Sequence, residues 1–334
     1  MKTAVVILNY NTRQYLERFL PGLIASCEGL DAQVVVADNC SSDDSVAFMQ
    51  TAYPDVPLIA LDRNYGFTGG YNRALSMLEA EYYVLINSDI EVPEGWLAPL
   101  VAWMDGHPAC GACGPKLRAY AQRTSFEYAG AAGGLLDRYG YPFCRGRIMQ
   151  KLEEDHGQYD NPGPVLWISG ACLLVRSSVW KALGGLDERF FAHMEEIDLC
   201  WRMQLRGWNV SLVPSSLVYH IGGGTLSNES PFKLRLNFRN NLLLLENNLP
   251  ATFAAAGLSE KQARRKARRR IFARKCLDGC SALLYLLKGQ WRFFRAVLDA
   301  HREYRKLRQP GAIPENVHFP DGLYKGWIVP KGLF

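Results

Sequence analysis

The first ninety residues alternate between β-branched apolar runs and segments with helical spacing of apolar residues. Ala4–Leu8, Gln33–Ala37 and Tyr82–Ile86 are typical of buried strands, whereas Tyr15–Ser26 has apolar residues three and four positions apart. The same patterns predict a strand at Pro57–Leu61 and helices at Ser45–Tyr53 and Gly70–Glu79. Such alternation favours a mostly parallel sheet with helices on both faces. The sequence therefore predicts a Rossmann-like α/β fold.

The chain is less regular beyond residue 110. Gly111–Pro164 is rich in Gly, Tyr and Pro, and predicts an irregular insertion with short strands. The later patterns predict strands at Val165–Val175 and Trp208–Val213, and helices at Ser178–Leu183, Glu195–Arg206, Lys233–Asn248 and Glu260–Arg308. We therefore expect one large domain followed by a helical extension.

Composition narrows the class of protein. A chain of 334 residues with 48% hydrophobic residues can bury a full core. Its most apolar C-terminal run, Gly279–Leu287, is far shorter than the roughly 20 residues that span a bilayer, and Met1–Asn9 lacks a signal-peptide cleavage site. Nine scattered cysteines favour free thiols in a reducing compartment, and the Cys110/Cys113 pair lacks a second pair at zinc-finger spacing. We expect a cytoplasmic, globular protein.

Polar clusters follow three of the predicted strands, at Asn9–Thr12, Asp38–Ser45 and Asn87–Asp89. Ligands of parallel sheets bind at the carboxyl ends of the strands. Asp89 lies at such an end, and Mg²⁺ and Mn²⁺ prefer carboxylate oxygens together with phosphate oxygens. Asp89 is therefore a candidate ligand of a divalent cation, although Asn87, Ser88 and Asp89 would also suit a simple turn.

Two further segments suit a nucleotide. Asp38 can accept hydrogen bonds from a nucleobase, while Ser42 or Asp43 would also serve as a plain helix N-cap. Gly66 and Gly70 precede a predicted helix, where glycine permits close backbone approach and a helix N-terminus favours phosphate. No Gly-Lys-Ser or Gly-Lys-Thr follows, so this is not a Walker A loop.

Three acids open a later predicted helix: Glu195, Glu196 and Asp198. Acids at this position complement the helix dipole, which is a purely structural explanation. Closely spaced carboxylates also raise one another's proton affinity, so one of them could act as a general base near neutral pH. His220 could complete a metal shell through an imidazole nitrogen, although a lone histidine is ordinarily structural.

The order of these motifs resembles the family 2 glycosyltransferases of the GT-A fold, in particular their bacterial rhamnosyltransferase-like branch. The matching positions run from Val5 to about Asn241. They comprise Asn9-Tyr10-Asn11, Asp38-Asn39-x-Ser41-x-Asp43, Asn64-x-Gly66-Phe67-x-x-Gly70-x-Asn72, Asn87-Ser88-Asp89, Ser169-Gly170-Ala171, Glu195-Glu196-x-Asp198-Leu199-Cys200-x-Arg202, Tyr219-His220 and Arg239-Asn240. One such motif is weak, but eight in the same order are specific.

The resemblance implies an inverting transferase that uses Mg²⁺ or Mn²⁺ and a dTDP- or UDP-linked sugar donor. Asp38 would hold the nucleobase, Asn11 and Asn64 would line the nucleoside pocket, and Asp89 with His220 would bind the metal. The other implied donor-binding residues are Asn9, Asn39, Ser41, Gly66, Gly70, Asn72, Asn87 and Ser88. The acceptor would be a hydroxyl of a glycan or lipid-linked saccharide in surface polysaccharide assembly.

The general base implied by the resemblance is Glu196. The family commonly has Glu followed by Asp, whereas this chain has two Glu residues, so Glu195 and Asp198 remain candidates. Residues 1–230 would form the catalytic domain, with a donor half of about 1–110 and an acceptor half of about 111–230. Residues 231–334 would form the helical basic extension.

The C-terminal extension carries most of the positive charge. Lys261–Arg308 holds sixteen Lys and Arg residues against three acids, while the whole chain has a net charge of +5. Its apolar residues include Trp291 and Phe294, and a basic amphipathic helix suits the inner surface of an anionic membrane. Packing on the catalytic domain with a solvated basic face is the alternative, and the apolar helices could also pair two subunits. Without a recognisable motif, nucleic-acid binding is not expected.

Two other functions compete with this prediction. A non-catalytic nucleotide-sugar or carbohydrate binding protein could keep the fold, with Glu196 marking the loss of turnover. A nucleotidyltransferase would also use an α/β domain and a metal, but it would normally have a Gly-rich loop bearing Lys or Arg where this chain has Asn9–Thr12.

Overall fold

The computed structural model describes residues 1–149, 151–222, 230–323 and 326–328. Its thirteen strands within these ranges are β1 (Thr3–Asn9), β2 (Ala32–Asp38), β3 (Leu58–Ala60), β4 (Tyr82–Ile86), β5 (Ile90–Glu91), β6 (Cys110–Ala119), β7 (Gly134–Leu136), β8 (Pro142–Cys144), β9 (Arg147–Ile148), β10 (Lys151–Leu152), β11 (Gly163–Pro164), β12 (Cys172–Arg176) and β13 (Asn209–His220). The helices are α1 (Arg13–Cys27), α2 (Ser45–Ala52), α3 (Gly66–Ser76), α4 (Leu97–Gly106), α5 (Ser177–Leu183), α6 (Glu195–Leu205), α7 (Pro231–Ala255), α8 (Glu260–Leu287) and α9 (Trp291–Leu307), with a 3₁₀ turn at Glu188–Phe190.

The central sheet has the strand order β11-β13-β6-β12-β4-β1-β2-β3, and β5 pairs with β13. β1 is parallel to both β2 and β4, and β13 is parallel to β6. β12 lies between β4 and β6 and is antiparallel to both. The sheet is thus mostly parallel, as the sequence predicts, with β12 as an antiparallel insertion at its centre.

Alternating residues of the central strands face two separate apolar layers. In β1, Val5 and Ile7 pack with α1 and α4, whereas Ala4 and Val6 face the layer that contains α3, α6 and α7. This period of two is what a strand buried on both faces requires. The core therefore consists of one sheet between two helical layers.

Several elements differ from the sequence-based expectation. Part of the predicted irregular insertion, Cys110–Ala119, is a ten-residue strand at the centre of the sheet, and the helix Leu97–Gly106 was not predicted. The predicted strand Val165–Val175 is regular only from Cys172. The predicted helix Glu260–Arg308 is two helices, because Gly289 adopts a φ of +70° and ends the first of them.

Of the three C-terminal helices, α7 packs against α6, while α8 and α9 pack on α7 and on each other. Trp201 of α6 donates its indole N–H to the hydroxyl of Thr252 in α7 at 3.0 Å. Inside the extension, the buried Asp278 accepts from Arg274 at 2.8 Å and lies 3.2 Å from His301 of α9. The helical extension is therefore joined to the sheet-containing part of the molecule through α6 and α7. Within the described ranges, no helix is long and apolar enough to cross a membrane.

Candidate active site

The carboxyl ends of β1 and β2 form a closed hydrogen-bond network, here called the β1–β2 edge (Asn9, Asn11, Asp38, Asn39, Ser41). The register of the two strands places Asn9 beside Asp38. The buried Asp38 carboxylate accepts from the Asn9 amide at 2.7 Å, and from the Ser41 backbone N–H and hydroxyl at 2.8 and 2.7 Å. Three donors hold this carboxylate in one orientation, as a base-reading acceptor requires.

The remaining residues of this edge fix its loops. Asn11 adopts a φ of +54°, and its side-chain oxygen accepts from the backbone N–H groups of Ser42 and Asp43. Asn39 donates to the Asn64 side chain at 3.1 Å and to the carbonyl of Gly66 at 3.0 Å. The sequence-predicted residues Asn9, Asn11, Asp38, Asn39, Ser41 and Asn64 therefore lie together.

The first turn of α3 differs from the predicted phosphate cradle. The backbone N–H groups of Phe67 and Thr68 both donate to the carbonyl of Phe191, at 2.7 and 3.2 Å. A Cβ on Gly66 would lie 2.5 Å from the Phe191 ring, and one on Gly70 would lie 2.8 Å from Leu8. These amides are occupied by the fold, whereas the sequence led us to expect a helix N-terminus open to phosphate. Both glycines permit close packing, and their donor-binding role stays a prediction.

Asn72 also has a structural position. Its amide donates to the carbonyl of Leu186 at 2.8 Å and accepts from the Leu186 N–H at 2.9 Å. These reciprocal bonds commit the side chain to the segment before the 3₁₀ turn. Few hydrogen-bonding groups of the Asn72 side chain therefore remain for the donor-binding role that the sequence predicts.

A histidine between two carboxylates lies at the end of β4. β5 pairs Ile90 with His220, which brings the histidine beside Asp89. His220 Nε2 lies 3.2 Å from Asp89 Oδ1, and His220 Nδ1 lies 3.3 Å from Glu127 Oε1. All three side chains are buried. Burial opposes a positive charge there, but hydrogen bonds to Asp89 and Glu127 raise the pKa of His220 to about 10.

This arrangement suits a divalent cation that a substrate helps to hold. In the part of the chain that the structure describes, no group of three or more His, Cys, Asp or Glu side chains is arranged to hold a metal ion by itself. Mg²⁺ and Mn²⁺ sites of nucleotide enzymes often have few protein ligands, because substrate phosphates supply the others. A carboxylate on the second ring nitrogen is the usual partner of a metal-bound histidine, and Glu127 occupies that place. Asp89 and His220 therefore fit as ligands, with Glu127 orienting the imidazole, provided that the cation displaces the proton from His220 Nε2.

Glu127 is the functional candidate that the sequence did not reveal. It belongs to no motif and lies in the segment predicted as an irregular insertion. Its backbone N–H donates to the carbonyl of Leu117 at 3.0 Å, which places it alongside the end of β6. Only the pairing of β6 with the last strand, β13, brings it to His220. An acid flanked by aromatic residues, Phe126 and Tyr128, was the only available signal.

The segment before α6, here called the acid loop (residues 190–196), has a strained backbone. Phe191, His193 and Met194 have φ values of +63°, +70° and +69°, and each such non-glycine conformation costs about 1–3 kcal/mol. The amide of Asn240 in α7 donates to the carbonyls of Phe190, Ala192 and His193, and Arg239 donates to Phe190 at 2.6 Å. The motif Arg239-Asn240 thus clamps this loop.

The acid loop ends in two adjacent acids, the buried Glu195 and the half-buried Glu196. The Oε2 atoms of Glu195 and Glu196 are buried without a hydrogen-bond partner in the described part of the chain. Burial raises the pKa of Glu196 to about 7, and burial together with the charge of Glu196 raises the pKa of Glu195 well above its usual range. A Cβ on Gly170 would lie 3.6 Å from the Cβ of Glu196, an ordinary van der Waals distance, so Gly170 lies next to this residue.

Asp198, the third candidate base, is held by other residues. Its carboxylate accepts from Arg202 at 2.6 Å, from Asn248 at 2.8 Å and from Asn247 at 3.0 Å, and it is fully buried. These bonds join α6 to α7. The geometry therefore favours a structural role for Asp198 and leaves Glu195 and Glu196 as candidates.

The end of β4 links these parts. Ser88 and Thr12 hydroxyls are 2.9 Å apart, which ties β4 to the β1–β2 edge. The backbone N–H of Asn87 donates to the carbonyl of Ala171, next to Gly170 and thus to Glu196. The cation candidates, the β1–β2 edge and the acid loop accordingly meet at one edge of the sheet.

Comparison with known protein families identifies the family to which this chain belongs. The model of glycosyl transferase family 2 matches residues 4–180. The chain belongs to this family. Over 236 residues, this glycosyltransferase is 30% identical to the N-acetylglucosaminyl-diphospho-decaprenol L-rhamnosyltransferase of Mycobacterium tuberculosis, covering 65% of this chain and 75% of the relative. The prediction of a family 2 enzyme of the rhamnosyltransferase-like kind is confirmed.

Solved glycosyltransferases share the fold. GalNAc-T7, solved with UDP, GalNAc and Mn²⁺, has a TM-score of 0.58 at 17% identity, covering 73% of this chain and 48% of the other. The mannosyltransferase PcManGT from Pyrobaculum calidifontis, solved with GDP-Man and Mn²⁺, has a TM-score of 0.53 at 15% identity, covering 92% and 88%. The predicted GT-A fold of this glycosyltransferase is thereby confirmed.

Proposed function

We propose that this glycosyltransferase is an inverting, metal-dependent enzyme that transfers a sugar from a nucleotide-diphosphate donor to a hydroxyl of a lipid-linked or glycan acceptor. The observation that carries the proposal is the meeting of the Asp89–His220–Glu127 group with the clamped Glu196 carboxylate at one sheet edge. A cation site and a base on opposite sides of a reacting carbon are what single displacement requires.

The β1–β2 edge would bind the nucleoside. Asp38 keeps acceptor capacity for the N–H of a uracil or thymine ring while Asn9 and Ser41 hold it in place. Because these bonds exist before any ligand arrives, binding would cost little reorganisation. The pocket is compatible with either UDP- or dTDP-linked donors.

Asp89 and His220 would hold the cation, and Glu127 would orient His220. When bound, Mg²⁺ or Mn²⁺ supplies positive charge next to the departing diphosphate. GalNAc-T7 and PcManGT were both solved with Mn²⁺ and a nucleotide or nucleotide sugar, which supports this role for the cation.

Glu196 would act as the general base. An acceptor hydroxyl beside Gly170 would transfer its proton to the Glu196 carboxylate, and its oxygen would attack the anomeric carbon opposite the leaving diphosphate. The bond to the diphosphate then breaks, and the configuration inverts. Its raised pKa of about 7 suits this task, since a base near the working pH accepts a proton well and is still ionised.

The substrate class follows from the relative. The mycobacterial enzyme's name describes a rhamnosyl transfer to a diphospho-decaprenol-linked N-acetylglucosamine. We infer that a deoxyhexosyl or hexosyl group and a lipid-linked saccharide are the corresponding substrates here. We propose that this reaction takes place at the inner face of the cytoplasmic membrane, in surface polysaccharide assembly.

Calorimetric titration with UDP and dTDP, each with and without Mn²⁺, tests the site directly. We expect one nucleotide to bind with a requirement for Mn²⁺, and Asp89→Ala to abolish that requirement together with most of the affinity. Asp31→Ala, an exposed acid at the opposite end of the sheet, is the matched control. Absence of binding in every condition would overturn the assignment of Asp38 and Asp89.

A further inference from the structure

The turn between α8 and α9 carries an exposed apolar stripe. Leu284, Leu287 and Trp291 have exposed fractions of 50%, 74% and 60%, and Phe272 and Leu283 are also exposed. Residues 272, 276, 280, 283, 284 and 287 recur every three or four positions, so they share one face of α8. We call the stripe residues of 272–291 the hairpin stripe. Large apolar side chains concentrated in this way mark a binding surface.

Positive charge surrounds the hairpin stripe. Lys288, Arg292 and Arg295 are exposed and interleave with its last residues. The three acids of the same segment are already engaged: Asp278 with Arg274, Asp299 with Arg302, and Glu303 with Arg239. The cations beside the stripe are therefore available to an external anion.

The helices place the hairpin stripe at the active-site end of the molecule. Asn241 of α7 and Arg274 of α8 contact the same segment, bonding the carbonyls of Gly140 and Tyr139 respectively. α7 and α8 run antiparallel, and each helix advances about 1.5 Å per residue. Lys288 thus lies about 20 Å beyond Arg274, on the side where α7 begins at Pro231. There the ring of Phe232 lies 6.4 Å from that of Phe191 in the acid loop.

We propose that the hairpin stripe and its basic border dock this glycosyltransferase on an anionic lipid bilayer, with the active-site end facing the membrane. Apolar side chains that enter the boundary of the acyl region, together with cations at the headgroups, form an interfacial membrane-binding element. The proposal of docking rests on the hairpin stripe and on the positive charge that surrounds it. Only its purpose, presenting a lipid-linked acceptor to Glu196, rests on the proposed function.

Co-sedimentation with vesicles tests the docking. The full chain should sediment with phosphatidylglycerol-containing vesicles and only weakly with pure phosphatidylcholine vesicles. Leu287→Ser with Trp291→Ser should weaken binding about 100-fold. Replacing Lys288, Arg292 and Arg295 by Ala should weaken binding about fivefold per cation and remove most of its salt dependence. Met77→Ser, an equally exposed apolar residue at the end of α3, should bind like the wild type.

A fluorescent probe tests the orientation. Cys280 lies on the hairpin stripe and Cys40 lies at the β1–β2 edge, and both are exposed. The fluorescence emission of an environment-sensitive dye on Cys280, in a variant with Cys40→Ser and Cys276→Ser, should shift to the blue when anionic vesicles are added. The same dye on Asp31→Cys, at the opposite end of the sheet, with Cys40, Cys276 and Cys280 each replaced by serine, should not shift.

Two results would overturn the docking. One is equal sedimentation of the wild type and the Leu287→Ser/Trp291→Ser variant with anionic vesicles. The other is a wild-type dimer in light scattering that this variant converts to monomers, because the stripe would then be a subunit interface. Nucleotide titration of the same variant should match the wild type, so that failure of docking and failure of the donor site are separated.

Discussion

The β1–β2 edge and the acid loop are both buried and polar, but they differ in how their polar atoms are satisfied. At the β1–β2 edge, Asp38 accepts three hydrogen bonds from its own fold. In the acid loop, one oxygen of Glu195 and one of Glu196 have no partner in the described residues, and the backbone is strained. Groups that only bind can be fully satisfied, whereas a base must keep an unsatisfied, high-energy oxygen for its proton.

The contrast between the β1–β2 edge, which binds, and the acid loop, which supplies the base, is tested most strongly by Glu196→Gln. Removal of the base should lower kcat for transfer by about 100- to 10,000-fold, while nucleotide affinity stays within about twofold. Steady-state kinetics and calorimetry on the same sample measure both. Glu79→Gln, the same change at an exposed position, is the control. If Glu195→Gln loses transfer and Glu196→Gln does not, the base is Glu195.

Asn240→Ala releases the clamp without touching either acid. The carbonyls of Ala192 and His193 lose the Asn240 donor, and that of Phe190 keeps only Arg239. Displacement of a catalytic group by about 1 Å costs on the order of 100-fold in rate. We expect that loss in kcat with an unchanged KM for the donor. Asn237→Ala, on the same helix, should leave kcat unaltered. A rise in donor KM with normal kcat would contradict the separation of the two regions.

Glu127→Gln tests the positioning of His220. Loss of the carboxylate behind a metal-binding histidine typically lowers metal affinity 10- to 100-fold. The readout is the affinity for Mn²⁺ in the presence of saturating nucleotide, measured calorimetrically. Glu154→Gln is an exposed control in the same part of the chain. Unchanged Mn²⁺ affinity would show that Glu127 only packs against the histidine.

The pH profile sharpens the contrast further. Burial raises the pKa of Glu196 to about 7, so the carboxyl is protonated below that pH and cannot accept a proton from the acceptor. We therefore expect kcat/KM to fall about tenfold per pH unit below pH 7 and to level off above it. A profile that stays flat down to pH 5 would mean that the base is not a buried carboxylate.

Asn72→Ala should have the smallest effect on substrate binding. Its amide holds the backbone of Leu186, so we expect the free energy of unfolding to fall by about 1–3 kcal/mol. Nucleotide affinity should change by less than about twofold. Urea unfolding measures the stability, and the nucleotide titration measures the affinity. A tenfold loss of nucleotide affinity in a variant of unchanged stability would support the donor-binding role that the motif predicts for Asn72.

Elements with one consistent pattern could be predicted from the sequence. The strands β1, β2 and β4 are runs of apolar residues, and α1 has a regular apolar face. The strand β6 could not be predicted, because Gly111, Gly114 and Pro115 interrupt its pattern and the surrounding sheet overrides their low strand propensity. The glycines of β6 allow neighbouring side chains to pack closely against the strand, since a Cβ on Gly114 would overlap the Ile168 side chain.

The site was predictable where its residues form local motifs. Asp89 and His220, far apart in sequence, were both predicted, and the pairing of β5 with β13 brings them together. Glu127 depends on the packing of an irregular segment, which no local pattern encodes. The occupied N-terminus of α3 was equally hidden, because its acceptor, the carbonyl of Phe191, lies more than 120 residues away in the chain.

The carbonyl of Phe191 has a consequence for protein engineering. It accepts the first amides of α3 and belongs to the loop that ends in Glu195 and Glu196. The family model ends at residue 180, so a chimera cut there would take α3 from one parent and the acid loop from the other. Such a hybrid would divide the contact between the acid loop and the first turn of α3 between two parents. Exchange of donor specificity between relatives should therefore transplant residues 66–68 and 190–196 as one unit.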